Sequence, residues 1–243
     1  MEFPVLSKKL EAASVLVFYD IEATQIDHQI IAIGMLIVRK EPGTLSLFTS
    51  DPVKYHWIIK STSKVGSVVE KLTGISDEMV EKEGEELHDV IIKIGNILRE
   101  YPNKRFISYG YFDLDVIRKN ISFDDETEFN FYKNMAKNHF DFAKYLSRRI
   151  VSNKGNQCSL MKLAELYSIK EEGSNHDPLF DSVILYRIYQ HYIEDEERTI
   201  DLILENYSKN KETSSIDKKI TSLILEQGSV SKADLVLAIK ESL

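Results

Sequence analysis

The stretch Val15–Glu22 reads VLVFYDIE, an apolar run rich in β-branched residues that ends in two acids. Such a run predicts a buried strand over Val15–Ile21. Side chains two positions apart on a strand share a face, so Asp20 and Glu22 emerge together at its end. Two adjoining carboxylates beside a core are costly unless something such as a hard divalent cation neutralises them. The alternative is that the strand has reached the surface there and that both acids are solvated.

Further strands and helices are predicted on the C-terminal side of this segment, from period-two and helical patterns of apolar residues. The predicted strands are Gln29–Arg39, Leu45–Lys60 and Arg105–Tyr109, with a turn at Glu41–Gly43. The predicted helices are Glu86–Glu100, Asp113–Asn120, a segment around Leu160–Tyr167, and Pro178–Tyr192. Three strands followed by alternating helices and strands indicate an α/β domain in which helices flank a mixed sheet.

The C-terminal part of the chain differs in composition. Hydrophobic content falls at Ser208–Ser215, which we interpret as a linker after a first domain of residues 1–207. A helical hairpin is predicted over residues 216–243, with helices at Ile216–Glu226 and Ser231–Ser242. Isolated helices of about a dozen residues are marginal in water. This small helical appendage is therefore expected to dock on itself, on the first domain, on a second copy of the chain or on a protein partner.

Composition is that of an ordinary globular protein. Of its 243 residues 43% are hydrophobic and 29% are charged. The longest nearly unbroken apolar stretch, Ile30–Val38, has about nine residues, whereas a membrane span needs roughly 20. No signal-peptide pattern opens the sequence. Cys158 is the single cysteine, which predicts a reducing compartment and no intramolecular disulfide. We expect a cytoplasmic protein without a membrane partner.

The net charge of −8 argues against a protein that coats duplex DNA, because such binding depends on many Lys and Arg contacts to phosphate. It is compatible with an enzyme that grips only a few nucleotides at a strand end. One basic stretch stands out, and it either guides a nucleic-acid strand or is ordinary solvated surface. Its members are Lys144, Arg148, Arg149, Lys154 and Lys162.

Two later segments place polar side chains at helix starts. Asp113 lies where a strand passes into a helix, so it is either a helix N-cap or a metal ligand. Asp177 followed by Pro178 is a favourable cap and first-turn pair. That pair makes His176 the N′ residue and Asp181 the N4 residue, two positions that contact each other at a helix start. The alternative is a surface His beside a surface Asp.

Together these side chains match the requirements of two-metal phosphoryl transfer. Two cations about 3.5–4 Å apart need three or four carboxylates, and they stabilise the attacking and leaving oxygens. A base that titrates near neutral pH must take a proton from the attacking water, and His suits that role. The candidate residues are Asp20, Glu22, Asp113, Asp181 and His176.

Four short segments, in this order, resemble the motifs of a known family. Residues 20–24 read DIEAT, residues 72–75 read LTGI, residues 109–113 read YGYFD, and His176 and Asp181 have a His-x4-Asp spacing. They resemble the DEDDh exonucleases, the group that contains the proofreading subunit of bacterial replicative polymerase and RNase T. The resemblance covers Val15–Tyr192 and is greatest to the branch that trims 3′ ends of small RNAs and histone messages. The second motif of that family usually carries Asn, His or Trp where this chain has Tyr109.

The resemblance implies an RNase H-like fold and hydrolysis of the 3′-terminal phosphodiester of single-stranded RNA or DNA. It implies two Mg²⁺ or Mn²⁺ ions held by Asp20, Glu22, Asp113 and Asp181, with His176 as general base. The residues implied to border the terminal nucleotide are Thr24, Leu72, Thr73 and Ile75. Two alternatives remain: a binding module that keeps this fold without turnover, and a metal phosphoesterase that does not act on nucleic acid.

The remaining polar candidates have ordinary structural interpretations. His56 and Trp57 are predicted to pack within a strand. Asp27 and His28 are assigned to a polar turn, where such residues are common. Cys158 is expected to be a small buried residue.

Overall fold

A computed structural model describes residues 10, 12–40, 51–152, 154–207 and 231–242. They form a five-stranded sheet in the order β3-β2-β1-β4-β5. The strands are β1 Val15–Ala23, β2 Ile30–Arg39, β3 Val53–Ile58, β4 Lys104–Ser108 and β5 His139–Asp141. The first three strands pair antiparallel, whereas β4 runs parallel to β1 and β5 parallel to β4. The predicted mixed sheet is confirmed.

Ten helices are described, and they cover both faces of this sheet. They are α1 Ser67–Thr73, α2 Asp77–Glu83, α3 Leu87–Arg99, α4 Phe112–Asn120, α5 Glu126–Asn138, α6 Phe142–Leu146, α7 Leu160–Leu166, α8 Pro178–Glu194, α9 Glu196–Tyr207 and α10 Lys232–Ser242. None of them combines the length and apolar character that a bilayer crossing needs. Helices α3, α4, α7 and α8 correspond to the predicted helices of the first domain, and α10 to the second helix of the predicted hairpin.

The third strand begins later than predicted. The prediction was Leu45–Lys60, whereas β3 spans Val53–Ile58 and residues 41–50 lie outside the described part. Among the described residues, β3 lies at the edge of the sheet and pairs only with β2. Alternation there buries Trp57 and leaves His56 exposed, so the predicted packing is wrong for His56.

Alternation along β1 decides which way its acids face. Leu16 and Phe18 pack in the core cluster on the α8 side, whereas Tyr19 packs in the cluster under α3, α4 and α5. Asp20 and Glu22 continue the row of Leu16 and Phe18. Both carboxylates therefore lie on the α8 face of the sheet, at the carboxyl end of its central strand.

Helix α10 packs against α9. Ile239 is almost fully buried in the core cluster that contains Phe18 and the apolar face of α8. Lys240 forms an ion pair with Glu196 at 2.8 Å. Within the described residues, this helix docks on the domain that carries the sheet. The predicted linker and the first helix of the hairpin, residues 208–226, lie outside the described part.

Candidate active site

A glycine in β2 allows the start of α8 to approach Asp20. Gly34 pairs with Asp20 in the β1–β2 register. A Cβ atom at Gly34 would lie 2.1 Å from the carbonyl carbon of Pro178, so no side chain fits there. The Ser182 hydroxyl lies 3.2 Å from the Gly34 carbonyl oxygen and 2.7 Å from that of Pro178, positioned to donate to either. The first turn of α8 therefore rests on the sheet backbone beside Asp20.

The predicted cap of α8 is confirmed. Asp177 accepts hydrogen bonds from the backbone N–H groups of Leu179 and Phe180, at 2.8 and 3.1 Å, and Pro178 opens the helix. His176, at the preceding position, has a φ of +66°, a left-handed backbone that non-glycine residues adopt infrequently. The loop before α8 thereby holds the imidazole at the site with half of its side-chain surface exposed.

Three of the predicted side chains lie close together at this point. Candidate ligand atoms of Glu22, His176 and Asp181 all lie within 4.8 Å of one another. The Nδ1 atom of His176 is 3.8 Å from Oε1 of Glu22, whose side chain is only 16% exposed. The alternative that the acids at the end of β1 are solvated on the surface is therefore wrong for Glu22, because its side chain is mostly buried and lies beside His176 in the loop before α8.

Asp113 is brought to the same site by α4, not by α8 or the loop before it. It is 6% exposed, in the first turn of α4, and its Oδ1 accepts a hydrogen bond from the backbone N–H of Ile21 at 3.2 Å. The N-cap position of α4 is Tyr111, and the side chain of Tyr111 makes no capping hydrogen bond. The alternative that Asp113 is the N-cap is therefore wrong. Its carboxylate instead contacts the backbone of β1 at Ile21, the residue that separates the two acids of the first motif in the sequence.

Burial and neighbouring negative charges raise the pKa values of the carboxylates. Burial raises the pKa of Asp20 well above its usual value, and the charges of Asp113 and Asp181 raise it further. Burial, with the charges of Asp181 and Asp113, raises the pKa of Glu22 to about 8. Burial also raises the pKa of Asp113 and of Asp181. A cluster of this kind is stabilised either by protons or by cations.

The donor set fits hard divalent cations. Oδ1 of Asp181 is buried and has no hydrogen-bond partner among the described residues. A buried carboxylate oxygen without a partner is unfavourable unless a cation or a proton satisfies it. Carboxylate oxygens are also the ligands that Mg²⁺ and Mn²⁺ prefer. Asp181, Asp20, Glu22 and Asp113 therefore form a suitable metal-binding set.

The residues implied to border a nucleotide differ in exposure. Leu72 is exposed at the last turn of α1, whereas Ile75 is buried in a small core cluster. The Thr73 hydroxyl accepts the backbone N–H of Ile75 at 3.0 Å. Thr24 is buried, and its hydroxyl accepts the backbone N–H of Gln29 at 2.9 Å, which closes the turn after β1. Contact of any of these with a nucleotide stays a prediction.

Tyr109 has a structural role that accounts for the departure in the second motif. Its hydroxyl donates a hydrogen bond to the carbonyl oxygen of Cys158, and its ring packs against the core cluster on the α8 side. Burial raises the pKa of Tyr109, which keeps the hydroxyl protonated. The side chain thus ties the second motif to the segment before α7. Cys158 is buried, as expected.

Two exposed aromatic residues next to Asp113 are not among the site residues that the sequence predicts. Tyr111 and Phe112 are each 55% exposed. The ring of Phe112 packs edge-on against His28, with ring centroids 5.8 Å apart. Two consecutive aromatic residues lie between a buried strand and Asp113, and this pattern could have indicated them as candidate binding residues. Large aromatic side chains are normally mostly buried.

The basic stretch is not one continuous surface. Arg149 stacks over the ring of Tyr145 at 4.0 Å and donates to its backbone carbonyl. Lys162 pairs with Glu165 at 2.8 Å. The exposed members are Lys144, Arg148 and Lys154. Its role in guiding a strand stays a prediction.

The fold recurs in several nucleases of known structure. The nuclease domain of 3′hExo, a DEDDh family member bound to rAMP, aligns over 75% of this chain and 93% of its own, with a TM-score of 0.57 and 18% identity. Cell-death related nuclease 4 (CRN-4) aligns over 76% and 65%, with a TM-score of 0.55 and 16% identity. S. pombe Pop2p in its Mg²⁺- and Mn²⁺-bound form aligns over 81% and 89%, with a TM-score of 0.53 and 16% identity.

At these identities the likeness establishes the RNase H-like fold. No curated protein sequence matches the chain. The sequence profile of the exonuclease family that includes RNase T matches residues 17–189, which is well over half of the chain and contains every element of the site. This chain therefore belongs to that exonuclease family.

Proposed function

We propose that the protein is a metal-dependent 3′→5′ exonuclease that hydrolyses the terminal phosphodiester of single-stranded RNA or DNA and releases nucleoside 5′-monophosphates. One observation carries the proposal. Four buried or half-buried carboxylates from β1, α4 and α8 lie beside an exposed His, and burial together with neighbouring negative charges raises their pKa values. A purely structural role would not favour such a group of like charges.

Asp20, Glu22, Asp113 and Asp181 would hold two Mg²⁺ or Mn²⁺ ions. The ions, when bound, would stabilise the attacking and leaving oxygens of an in-line displacement. The protein's part is to fix the carboxylates before the substrate arrives. Asp113 is held by the Ile21 N–H, and Asp181 by the first turn of a helix that rests on the backbone of Gly34.

His176 would act as the general base. Half of its side chain is open to solvent, so a water molecule at the cluster can reach the imidazole. Its Nδ1 lies near Glu22, whose carboxylate can orient the ring. The left-handed backbone at His176 and the Asp177 cap fix the position of the ring relative to Asp181.

The substrate would be a free 3′ end. Phe112 and Leu72 are exposed apolar side chains in the second motif and in the LTGI segment, and a base can stack or pack on such surfaces. Related structures support the substrate class. One 3′-exonuclease recognises the 3′ end of a histone mRNA stem-loop, and the 3′hExo domain holds rAMP. Pop2p binds Mg²⁺ and Mn²⁺.

Cleavage of 5′-end-labelled RNA and DNA oligonucleotides, with Mg²⁺ or Mn²⁺ and with EDTA, tests the proposal. We expect a ladder that shortens from the 3′ end and disappears in EDTA. Asp113→Asn should remove the ladder, whereas Asp115→Asn should not, because Asp115 on the same helix is paired with Arg118 and Lys119 away from the site. Binding without cleavage would indicate a binding module, and cleavage only of small phosphoesters would indicate a different phosphoesterase.

A further inference from the structure

A buried hydrogen-bond chain joins β5 to the turn that carries the second motif. Ser108 is fully buried at the end of β4. Its hydroxyl donates to the carbonyl oxygen of Gly110 at 2.5 Å, and the Nε2 atom of His139 in β5 lies 2.8 Å from the same hydroxyl oxygen. Because a hydroxyl has one proton and Gly110 receives it, His139 must donate from Nε2. Burial lowers the pKa of His139, which favours the neutral ring.

The turn held by this chain leads directly to Asp113. Gly110 has a φ of +114°, a conformation that side-chain-bearing residues rarely adopt. Helix α4 begins two residues later, and the side chain of its N-cap residue Tyr111 makes no capping hydrogen bond. The contact from Ser108 is therefore a side-chain anchor on the backbone between β4 and the first turn of α4. A displacement of the Gly110 carbonyl would move Asp113 relative to the Ile21 N–H and the acids of β1.

We propose that His139 is a positioning residue for Asp113, acting through Ser108 and the Gly110 carbonyl. The inference rests on the proposed function, since it assigns a purpose to accurate placement of Asp113. The ring of His139 makes T-shaped contacts with the rings of Tyr19 and Tyr111, at centroid distances of 6.3 and 5.6 Å. These contacts keep the imidazole directed at Ser108.

Two substitutions separate the hydrogen bond from the packing. His139→Phe keeps a ring and removes the Nε2 donor, whereas His139→Gln keeps an N–H donor at a similar reach. We expect His139→Phe to lower kcat about 10- to 100-fold with little change in KM, as small misplacements of a catalytic group do. Mn²⁺ affinity, measured by calorimetry, should fall in the same variant. His139→Gln should restore most of both quantities.

His191→Phe is the matched control, since His191 is another partly buried His that stacks on a tyrosine, far along α8 from the site. It should leave kcat and Mn²⁺ affinity unchanged. The proposal is overturned if His139→Phe has wild-type kcat and Mn²⁺ affinity, or if the Phe and Gln variants lose the same amount. If His139→Phe does not fold, Ser108→Ala takes its place, and wild-type kcat and Mn²⁺ affinity in that variant overturn the proposal.

Failure of the proposed function would look different. In that case the wild type would show no EDTA-sensitive cleavage of any oligonucleotide. The Mn²⁺ titrations of the same variants need no turnover, so they would still decide whether His139 positions Asp113.

Discussion

His176 is exposed to solvent, whereas the acids of the site are buried or half-buried. Its expected role follows from this difference in solvent exposure. We expect His176→Ala to lower kcat about 10²–10⁴-fold, the usual contribution of a general base. Mn²⁺ affinity should change little, because four carboxylates remain. Single-turnover cleavage and calorimetric titration with Mn²⁺ measure the two effects. A variant that no longer binds Mn²⁺ would instead make His176 a metal ligand.

Glu22 makes stability of the metal-free protein depend on pH. Its pKa is 4.5 in the unfolded chain and about 8 in the fold, so the folded state binds the extra proton between these values. Its contribution to stability is full below pH 4.5 and is lost as pH rises through 8. One pKa unit corresponds to about 1.4 kcal/mol, so the loss amounts to a few kcal/mol.

Urea unfolding in EDTA across this pH range measures that loss. Glu22→Gln should lessen the dependence, because an amide does not titrate, whereas the other three carboxylates still do. Saturating Mg²⁺ should reduce the slope in the wild type, since metal replaces the proton. Stability that rises with pH through the same range would contradict the assignment of the shift to the cluster.

Among contacts between secondary-structure elements, the contact of β2 with the start of α8 positions Asp181 in the site. Gly34→Ala would place a methyl group 2.1 Å from the Pro178 backbone and lift the start of α8. Overpacking of this kind costs about 1–3 kcal/mol or more. We expect a lower melting temperature and a loss of cleavage beyond what the stability change explains, because Asp181 moves with the helix.

Gly95→Ala is the control for that substitution. Gly95 lies within α3, and a Cβ there meets nothing within 4 Å. Replacing a helical glycine by alanine should stabilise the protein by about 0.5–1 kcal/mol. If both variants behaved alike in unfolding and cleavage, the close approach of α8 to the sheet would not matter to the site.

At the scale of the whole molecule, α10 belongs to the core of the exonuclease domain. Ile239 is buried with residues of α8, so Ile239→Ala should destabilise the protein by about 2–5 kcal/mol. Leu237→Ala, at an exposed position of the same helix, should change stability by less than about 0.5 kcal/mol. Cleavage of short single strands by folded Ile239→Ala should remain. Lost nucleic-acid affinity with unchanged stability would indicate a binding role for α10 instead.

The sequence predicts the central features of the fold because they depend on local patterns. Alternation in β1 places Asp20 and Glu22 on one face, and the Asp177–Pro178 pair sets the start of α8. The three-residue strand β5 is too short for any period to indicate it. The contact of Ser182 with Gly34 joins residues 148 positions apart, and that of Asp113 with Ile21 joins residues 92 apart. Such contacts follow from the assembled sheet and cannot be found in a local pattern.

The raised pKa values also affect the electrostatic repulsion between the carboxylate cluster and an approaching nucleic-acid strand. A formal net charge of −8 counts every carboxylate as ionised, yet Glu22 stays largely protonated at neutral pH when no metal is bound. The phosphates of an arriving strand are thus repelled less than the formal charge suggests. Electrostatic repulsion slows diffusional encounter. In EDTA the association rate of a single strand should therefore fall as pH rises through 8, and stopped-flow fluorescence at constant ionic strength would measure this.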